Sequence, residues 1–222
     1  LSDKTNGILL IMSMLIMLKE GGTLGIDGNP IDEDIDLLPD AGGANGKLTL
    51  IETQTLASAQ AEFTFSSLQA DTFDTHILIG ELAVDGTDGS QYEIRMQYSI
   101  GGTREVTGNQ YEHRYVQIKG GSGSRSTRQS TGNFHLLREQ FDDPANAKSF
   151  NIYNTIHNLG SSTLGATQEF RGNSHSSASN SRQSVGGFNF KLVGIVSDIH
   201  VYSTATNGFA TGSRLSLYGV AV

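Results

Sequence analysis

From Lys47 onward, short apolar segments alternate with polar residues and are separated by Gly, Ser, Asn and Asp. A period of two places successive side chains on opposite faces of a β-strand. The clearest case is the segment 92–98. Its pattern predicts an inward set of Tyr92, Ile94, Met96 and Tyr98, and a water-facing set of Glu93, Arg95 and Gln97.

Ten segments beyond Lys47 carry such a pattern and are bounded by turn residues. The predicted strands are Leu48–Leu56, Glu62–Phe65, Thr75–Val84, Tyr92–Ile100, Tyr111–Ile118, Asn133–Leu137, Ser149–His157, Ala166–Phe170, Phe188–Tyr202 and Ser213–Val222. Apolar residues occupy both parities of the segment 73–82, so this strand is predicted to be central and covered on both sides. With no amphipathic helix between the strands, the chain is predicted to be all-β, an antiparallel, jelly-roll-like β-sandwich.

The region before Lys47 has a different character and predicts a separate unit, so we divide the chain into an arm, 1–46, and a β-sandwich domain, 47–222. The apolar run Ile8–Leu18 fits a short helix or a buried strand, and a membrane span needs about 20 residues. An acidic stretch, 27–40, follows and reads as an extended arm. The arm is predicted to anchor or oligomerise the chain through Ile8, Leu9, Ile11, Met12, Leu15, Ile16 and Leu18.

Two stretches rich in Gly and Ser, 119–128 and 171–182, are predicted to be long exposed loops. They carry much of the positive charge of an otherwise acidic chain, whose formal net charge is −8. If the loops share one end of the sandwich, they form a polar tip suited to sugars or acidic partners. The candidate partner-binding residues are Lys119, Arg125, Arg128, Arg171, His175 and Arg182. The alternative is that both loops are solvated and bind nothing.

Composition and motifs argue against several kinds of chemistry. The chain has no Cys, so disulfides and thiolate sites are excluded, and its acidic charge argues against nucleic-acid binding. The six histidines show no metal-binding spacing, and no nucleophile elbow or phosphate-binding glycine loop occurs. We therefore expect no enzyme activity, no catalytic residue, no metal and no cofactor. His76, His157 and His200 are predicted to be polar residues within strands.

The C-terminal residues 212–221, Gly-Ser-Arg-Leu-Ser-Leu-Tyr-Gly-Val-Ala, resemble the ending of tail-fibre and other virion surface proteins of tailed bacteriophages. The likeness extends to 55–68, to the strand 73–82 with the Asp85-Gly86 turn and strand 92–98, and to the paired strands 191–202 and 214–221. It implies a β-sandwich on the virion surface with no catalytic residues.

The function implied by this resemblance is a structural virion protein of the fibre or host-attachment type, anchored by its N-terminal arm. Its partners would be other virion proteins, further copies of the chain in a homotrimer or other homo-oligomer, and a host surface glycan. Two alternatives remain open. One is a capsid decoration protein, and the other is a non-viral carbohydrate-binding module in which Tyr92, Tyr111 and Tyr115 line a sugar-stacking face.

Overall fold

The computed structural model describes residues 47–85, 92–119, 125–132, 134–141, 149–175 and 181–221. Within these ranges the chain forms thirteen β-strands and no helix. The strands are β1 (Leu48–Thr55), β2 (Glu62–Phe65), β3 (Thr75–Ala83), β4 (Tyr92–Ile100), β5 (Thr103–Arg104), β6 (Tyr111–Lys119), β7 (Arg125–Gly132), β8 (His135–Phe141), β9 (Ser149–His157), β10 (Thr167–His175), β11 (Ser181–Phe190), β12 (Val196–Ser203) and β13 (Arg214–Val220). The all-β prediction is confirmed.

The strands form two antiparallel sheets. The larger has eight strands in the order β1-β13-β3-β9-β10-β11-β6-β7, and the smaller has five, in which β2, β12, β4 and β5 follow one another and β8 pairs with β4. Every strand pair in both sheets is antiparallel. The C-terminal strand β13 lies between β1 and β3 and so joins the first strand to the rest of the larger sheet.

The core lies between the two sheets and is rich in aromatic rings. Tyr98 of β4 packs against Phe190 of β11 with ring centroids 5.2 Å apart, and the Tyr98 hydroxyl donates a hydrogen bond to Gln168 Oε1 of β10 at 3.2 Å. The Tyr111 hydroxyl of β6 accepts from the Tyr98 backbone N–H at 2.9 Å. These contacts hold the inner faces of the two sheets together.

The alternation in β4 is confirmed on its inner face, where Tyr92, Ile94, Met96 and Tyr98 are all buried. The prediction that Gln97 faces water is wrong. Gln97 is buried because the two-residue Gly-Gly turn after β4 brings β5 alongside, and Arg104 Nε donates to Gln97 Oε1 at 2.8 Å.

Strand β3 is central, as predicted, but it is not fully covered on both sides. His76, Leu78 and Leu82 are buried on the inner face, whereas Ile77 and Ile79 on the outer face are only half-buried. Their cross-strand neighbours are Tyr218 and Thr155 for Ile77, and Ser216 and Tyr153 for Ile79.

Three strand predictions need correction. The segment predicted as one strand, 188–202, is divided between the end of β11 and β12. The short β5 and the whole of β7 were missed. Gly86 of the predicted Asp85-Gly86 turn and the arm 1–46, with its seven predicted anchoring residues, lie outside the described residues.

Candidate functional site

The outer face of the larger sheet carries a polar groove formed by β9, β10, β11 and β6. Adjacent strands place Thr155, Glu169, Gly187 and Arg114 in one cross-strand row. The next row consists of His157, Thr167, Asn189 and Glu112. All of these residues have the parity opposite to the core residues of their strands, so they face away from the smaller sheet.

Gly187 forms the floor of this groove. Its strand neighbours across the sheet are Glu169 on one side and Arg114 on the other. A Cβ atom at Gly187 would have its nearest neighbour, the Gln168 carbonyl oxygen, 3.7 Å away, so the space above the backbone is open. The missing side chain therefore leaves a notch between two long charged side chains.

The groove has a volume of about 460 Å³, which is within the range of small-molecule sites. We call it the Gly187 groove. Its polar walls are formed by Glu112, Arg114, His157, Thr167, Glu169 and Asn189. Both charged and neutral hydrogen-bonding groups line it.

The Gly187 groove carries charges of both signs. Glu112 Oε1 lies 3.3 Å from the Lys191 ammonium, and the bridge is half-exposed. Glu169 and Arg114 are exposed and form no ion pair within the part of the chain that the structure describes. His157 Nδ1 lies 3.0 Å from the Thr75 hydroxyl, which fixes one side of its ring. The groove therefore offers hydrogen-bond donors and acceptors together with charges of both signs.

The two stretches predicted to be long loops are mostly strand. Lys119 ends β6, Arg125 and Arg128 lie in β7, Arg171 and His175 in β10, and Arg182 in β11. The loop prediction is wrong because backbone pairing stabilises a strand even where its side chains show no apolar period. Residues 120–124 and 176–180, which come between the paired strands in the sequence, lie outside the described residues.

The backbone brings most of these predicted binding residues to one end of the larger sheet. Arg182 pairs with Lys119, Ile118 pairs with Arg125, and His175 pairs with Ser181. We call this end, where β6 and β10 end and β7 and β11 begin, the hairpin end. Arg128 and Arg171 lie further along their strands, opposite Tyr115 and Tyr153 respectively.

The histidines predicted to be polar strand residues have that role. His76 is fully buried with Nε2 2.7 Å from the Leu68 carbonyl oxygen, and burial lowers its pKa. His200 bridges two strands through Ser99 Oγ at 2.9 Å and Thr64 Oγ1 at 3.2 Å, and burial lowers its pKa as well. Among the described residues, no cluster of three or more His, Asp or Glu side chains has the arrangement of a metal site.

The three tyrosines considered for a sugar-stacking face are core residues. Tyr92, Tyr111 and Tyr115 are buried, so that interpretation of them is wrong. The exposed tyrosine on the larger sheet is Tyr153 of β9, whose side chain is 44% exposed. The sequence analysis missed Tyr153 and the Gly187 groove. The available signal was the polar parity of β6, β10 and β11, opposite to their core residues.

No protein-family model matches the chain, and no curated protein sequence matches it. Among solved structures, it is similar to the CBM2 module of the evolved Dit of Lactobacillus casei BL23 phage J-1, at 9% identity, 78% coverage of this chain, 77% of that chain and a TM-score of 0.24. It is also similar to the marine PL-14 alginate lyase from Aplysia kurodai, at 8% identity, 82% and 84% coverage and a TM-score of 0.30. With TM-scores this low, neither likeness carries weight here. None of the described segments is a helix long and apolar enough to cross a membrane.

Proposed function

We propose that the chain is a non-enzymatic β-sandwich module on the surface of a tailed-phage particle, of the fibre or host-attachment type. Residues before Lys47 tether it to other virion proteins or to further copies of itself, and the hairpin end meets the host. The sequence resemblance at the C-terminal strand supports the phage setting. The observation that supports the attachment role is that the first residue of β1 and the hairpin end lie at opposite ends of the larger sheet.

This arrangement follows from the strand register. Leu48, the first residue of β1, shares a cross-strand row with Val220, Thr75 and His157 at one end of the sheet. The hairpin end lies at the opposite ends of the strands. The first described strand therefore begins at one end of the sheet, and β6 and β10 end at the other.

The charge distribution supports the same orientation. Lys119, Arg125 and Arg182 lie at the hairpin end of a chain whose formal net charge is −8. A local basic cluster attracts acidic partners even when the whole protein repels them. Bacterial envelopes present acidic and hydroxyl-rich polymers, so a basic distal end suits contact with a host.

Immunogold labelling of purified particles of the phage that encodes the chain tests the location. We expect antibody against the chain to label the tail, with pre-immune serum as the control. Label spread over the head would favour the decoration alternative. Absence of the chain from purified particles would reject the virion assignment and leave the non-viral binding module.

A competition assay tests the contact end. Purified chain is expected to slow adsorption of the phage to host cells, and a variant with Lys119, Arg125 and Arg182 replaced by Ser is expected to compete at least several-fold less well. A matched variant, Lys47→Ser, removes an exposed positive charge next to Leu48, at the opposite end of the larger sheet, and is expected to compete like the unchanged chain. Equal competition by all three proteins would contradict the assignment of the hairpin end.

A further inference from the structure

We propose that the Gly187 groove is a binding site for an uncharged, hydroxyl-rich ligand, namely a neutral saccharide. The site lies on the outer face of the larger sheet and not at the hairpin end. It therefore goes beyond the proposed attachment function, and it does not depend on whether the chain belongs to a virion.

The first argument is shape. Gly187 lies between Glu169 and Arg114, whose strands are separated by two strand spacings, or about 9–10 Å. This gap is broader than a six-membered sugar ring. Because nothing lies within 3.7 Å of the position of a Gly187 Cβ, a ring can approach the backbone of β11 directly.

The second argument is charge. The groove lining holds two carboxylates, Glu112 and Glu169, and one guanidinium, that of Arg114. Two further cations lie beside it: Lys191, which pairs with Glu112, and Arg171, opposite Tyr153 on the same face. An anionic ligand in the notch would be repelled by Glu169, which has no ion-pair partner among the described residues, and a cationic ligand would be repelled by the Arg114 guanidinium. An uncharged ligand avoids both repulsions and can still hydrogen-bond to each group.

The third argument is hydrogen-bonding capacity. Glu169 supplies acceptors only and Arg114 donors only, while Asn189 and Thr167 supply both. A sugar hydroxyl is a donor and an acceptor at once, so adjacent hydroxyls can satisfy groups of both kinds. A ligand with acceptors only, such as sulfate, has no hydrogen to donate to Glu169.

An aromatic ring lies beside the groove on the same face. Thr155 pairs with Glu169, so Tyr153, two residues earlier on β9, is diagonal to Glu169 at about 7–8 Å between Cα atoms. Its exposed ring offers an apolar surface to the C–H face of a sugar bound next to Glu169.

Isothermal titration calorimetry of the full chain tests this site with oligosaccharides of glucose, of mannose and of galactose, and with an oligouronate as the acidic probe. We expect at least one neutral probe to bind. The variant Gly187→Leu fills the notch and is expected to weaken that binding at least tenfold. The matched control Gly132→Leu adds the same side chain to β7, at a position where no atom lies within 4 Å of the new Cβ, and is expected to bind like the unchanged chain.

A second variant keeps the test decisive if Gly187→Leu unfolds. Asn189→Ala removes a groove side chain from the same strand and is expected to weaken binding several-fold. The proposal is overturned if no neutral probe binds, if the oligouronate binds more tightly than every neutral probe, or if both groove variants bind like the unchanged chain. The hairpin-end variant leaves the groove intact, so the two proposals can fail separately. Failure of the sugar-binding proposal shows in the calorimetry, and failure of the attachment proposal shows in the competition assay.

Discussion

His135 on β8 is a buried imidazole enclosed by aromatic rings. Its ring centroid lies 5.7 Å from that of Tyr98, 4.7 Å from Tyr111 and 5.1 Å from Phe188, and within the described residues neither ring nitrogen has a hydrogen-bond partner. Burial lowers the pKa of His135 well below its ordinary value of 6.5, and nearby His113 lowers it further. The folded chain therefore holds His135 neutral under conditions in which the unfolded chain protonates it.

This difference in protonation predicts loss of stability in acid. As the pH falls through 6.5, His135 becomes protonated in the unfolded state but stays neutral in the folded state, so the free energy of unfolding falls. Urea titrations followed by circular dichroism at about pH 7.5 and about pH 5 measure the free energy of unfolding. Between these pH values, we expect this free energy to fall by up to about 2 kcal/mol less in His135→Leu than in the unchanged chain. His76 and His200, whose pKa values burial also lowers, maintain a smaller acid sensitivity in both proteins. Equal losses would show that His135 is protonated when folded.

Gly186 and Gly187 are neighbours that differ in what a methyl group would meet. At Gly186 a Cβ would come within 2.5 Å of Tyr115 Cβ and 2.6 Å of the Arg114 carbonyl oxygen, whereas the Cβ at Gly187 would lie in open space. We expect Gly186→Ala to destabilise the fold by about 1–3 kcal/mol and Gly187→Ala to leave it unchanged or raise stability by up to about 1 kcal/mol. Urea midpoints measure both variants. Similar midpoints for the two would contradict the register of β11 against β6.

At the scale of elements, β13 completes the larger sheet. Leu217 of β13 is fully buried, while Leu50 on the paired strand β1 is 54% exposed. Leu217→Ala is expected to lower the free energy of unfolding by about 2–5 kcal/mol, because it leaves a cavity in the core. Leu50→Ala, the matched control, is expected to change it by less than about 0.5 kcal/mol. Denaturant titration of both variants measures the difference, and a tolerated Leu217→Ala would argue against the placement of β13 within the core.

The position of β13 also bears on folding. It pairs with β1 on one side and with β3 on the other, and its partner residues Thr53 and Ser216 are 163 residues apart in the sequence. Such long-range pairing raises contact order, which slows folding. Loss of the last strand would leave β1 detached and an open edge on β3.

At the scale of the whole molecule, the division at Lys47 predicts that the arm contributes little to the stability of the sheets. Every described core residue lies at or beyond Leu56. A truncated chain that begins at Lys47 is therefore expected to unfold within a few degrees of the full chain in a thermal scan, because the buried apolar area is retained. A much lower Tm would mean that residues of the arm pack on the sheets. In the particle, the same truncation is expected to prevent incorporation, and continued incorporation would reject the anchoring role of residues 8–18.

The apolar pattern of the sequence is sufficient to predict several of the strands that form the core. The segments 62–65, 92–100 and 149–157 were predicted with the bounds that the structure has, because an apolar period of two is a direct record of one buried face. The same reasoning failed for β7 and for the first half of β11. Their side chains are polar at both parities, and strand pairing, which local sequence does not encode, decides their structure.

The tertiary structure alone decided the candidate sites. Glu169, Gly187 and Arg114 are distant in sequence and become neighbours only through the pairing of β10 with β11 and of β11 with β6. Likewise, Tyr111 and Tyr115 were open to a surface or a core role until the packing of the second sheet buried them. A periodic pattern determines which residues share a face of a strand. Which strands lie side by side, and which face the other sheet covers, depends on long-range contacts that no local pattern contains.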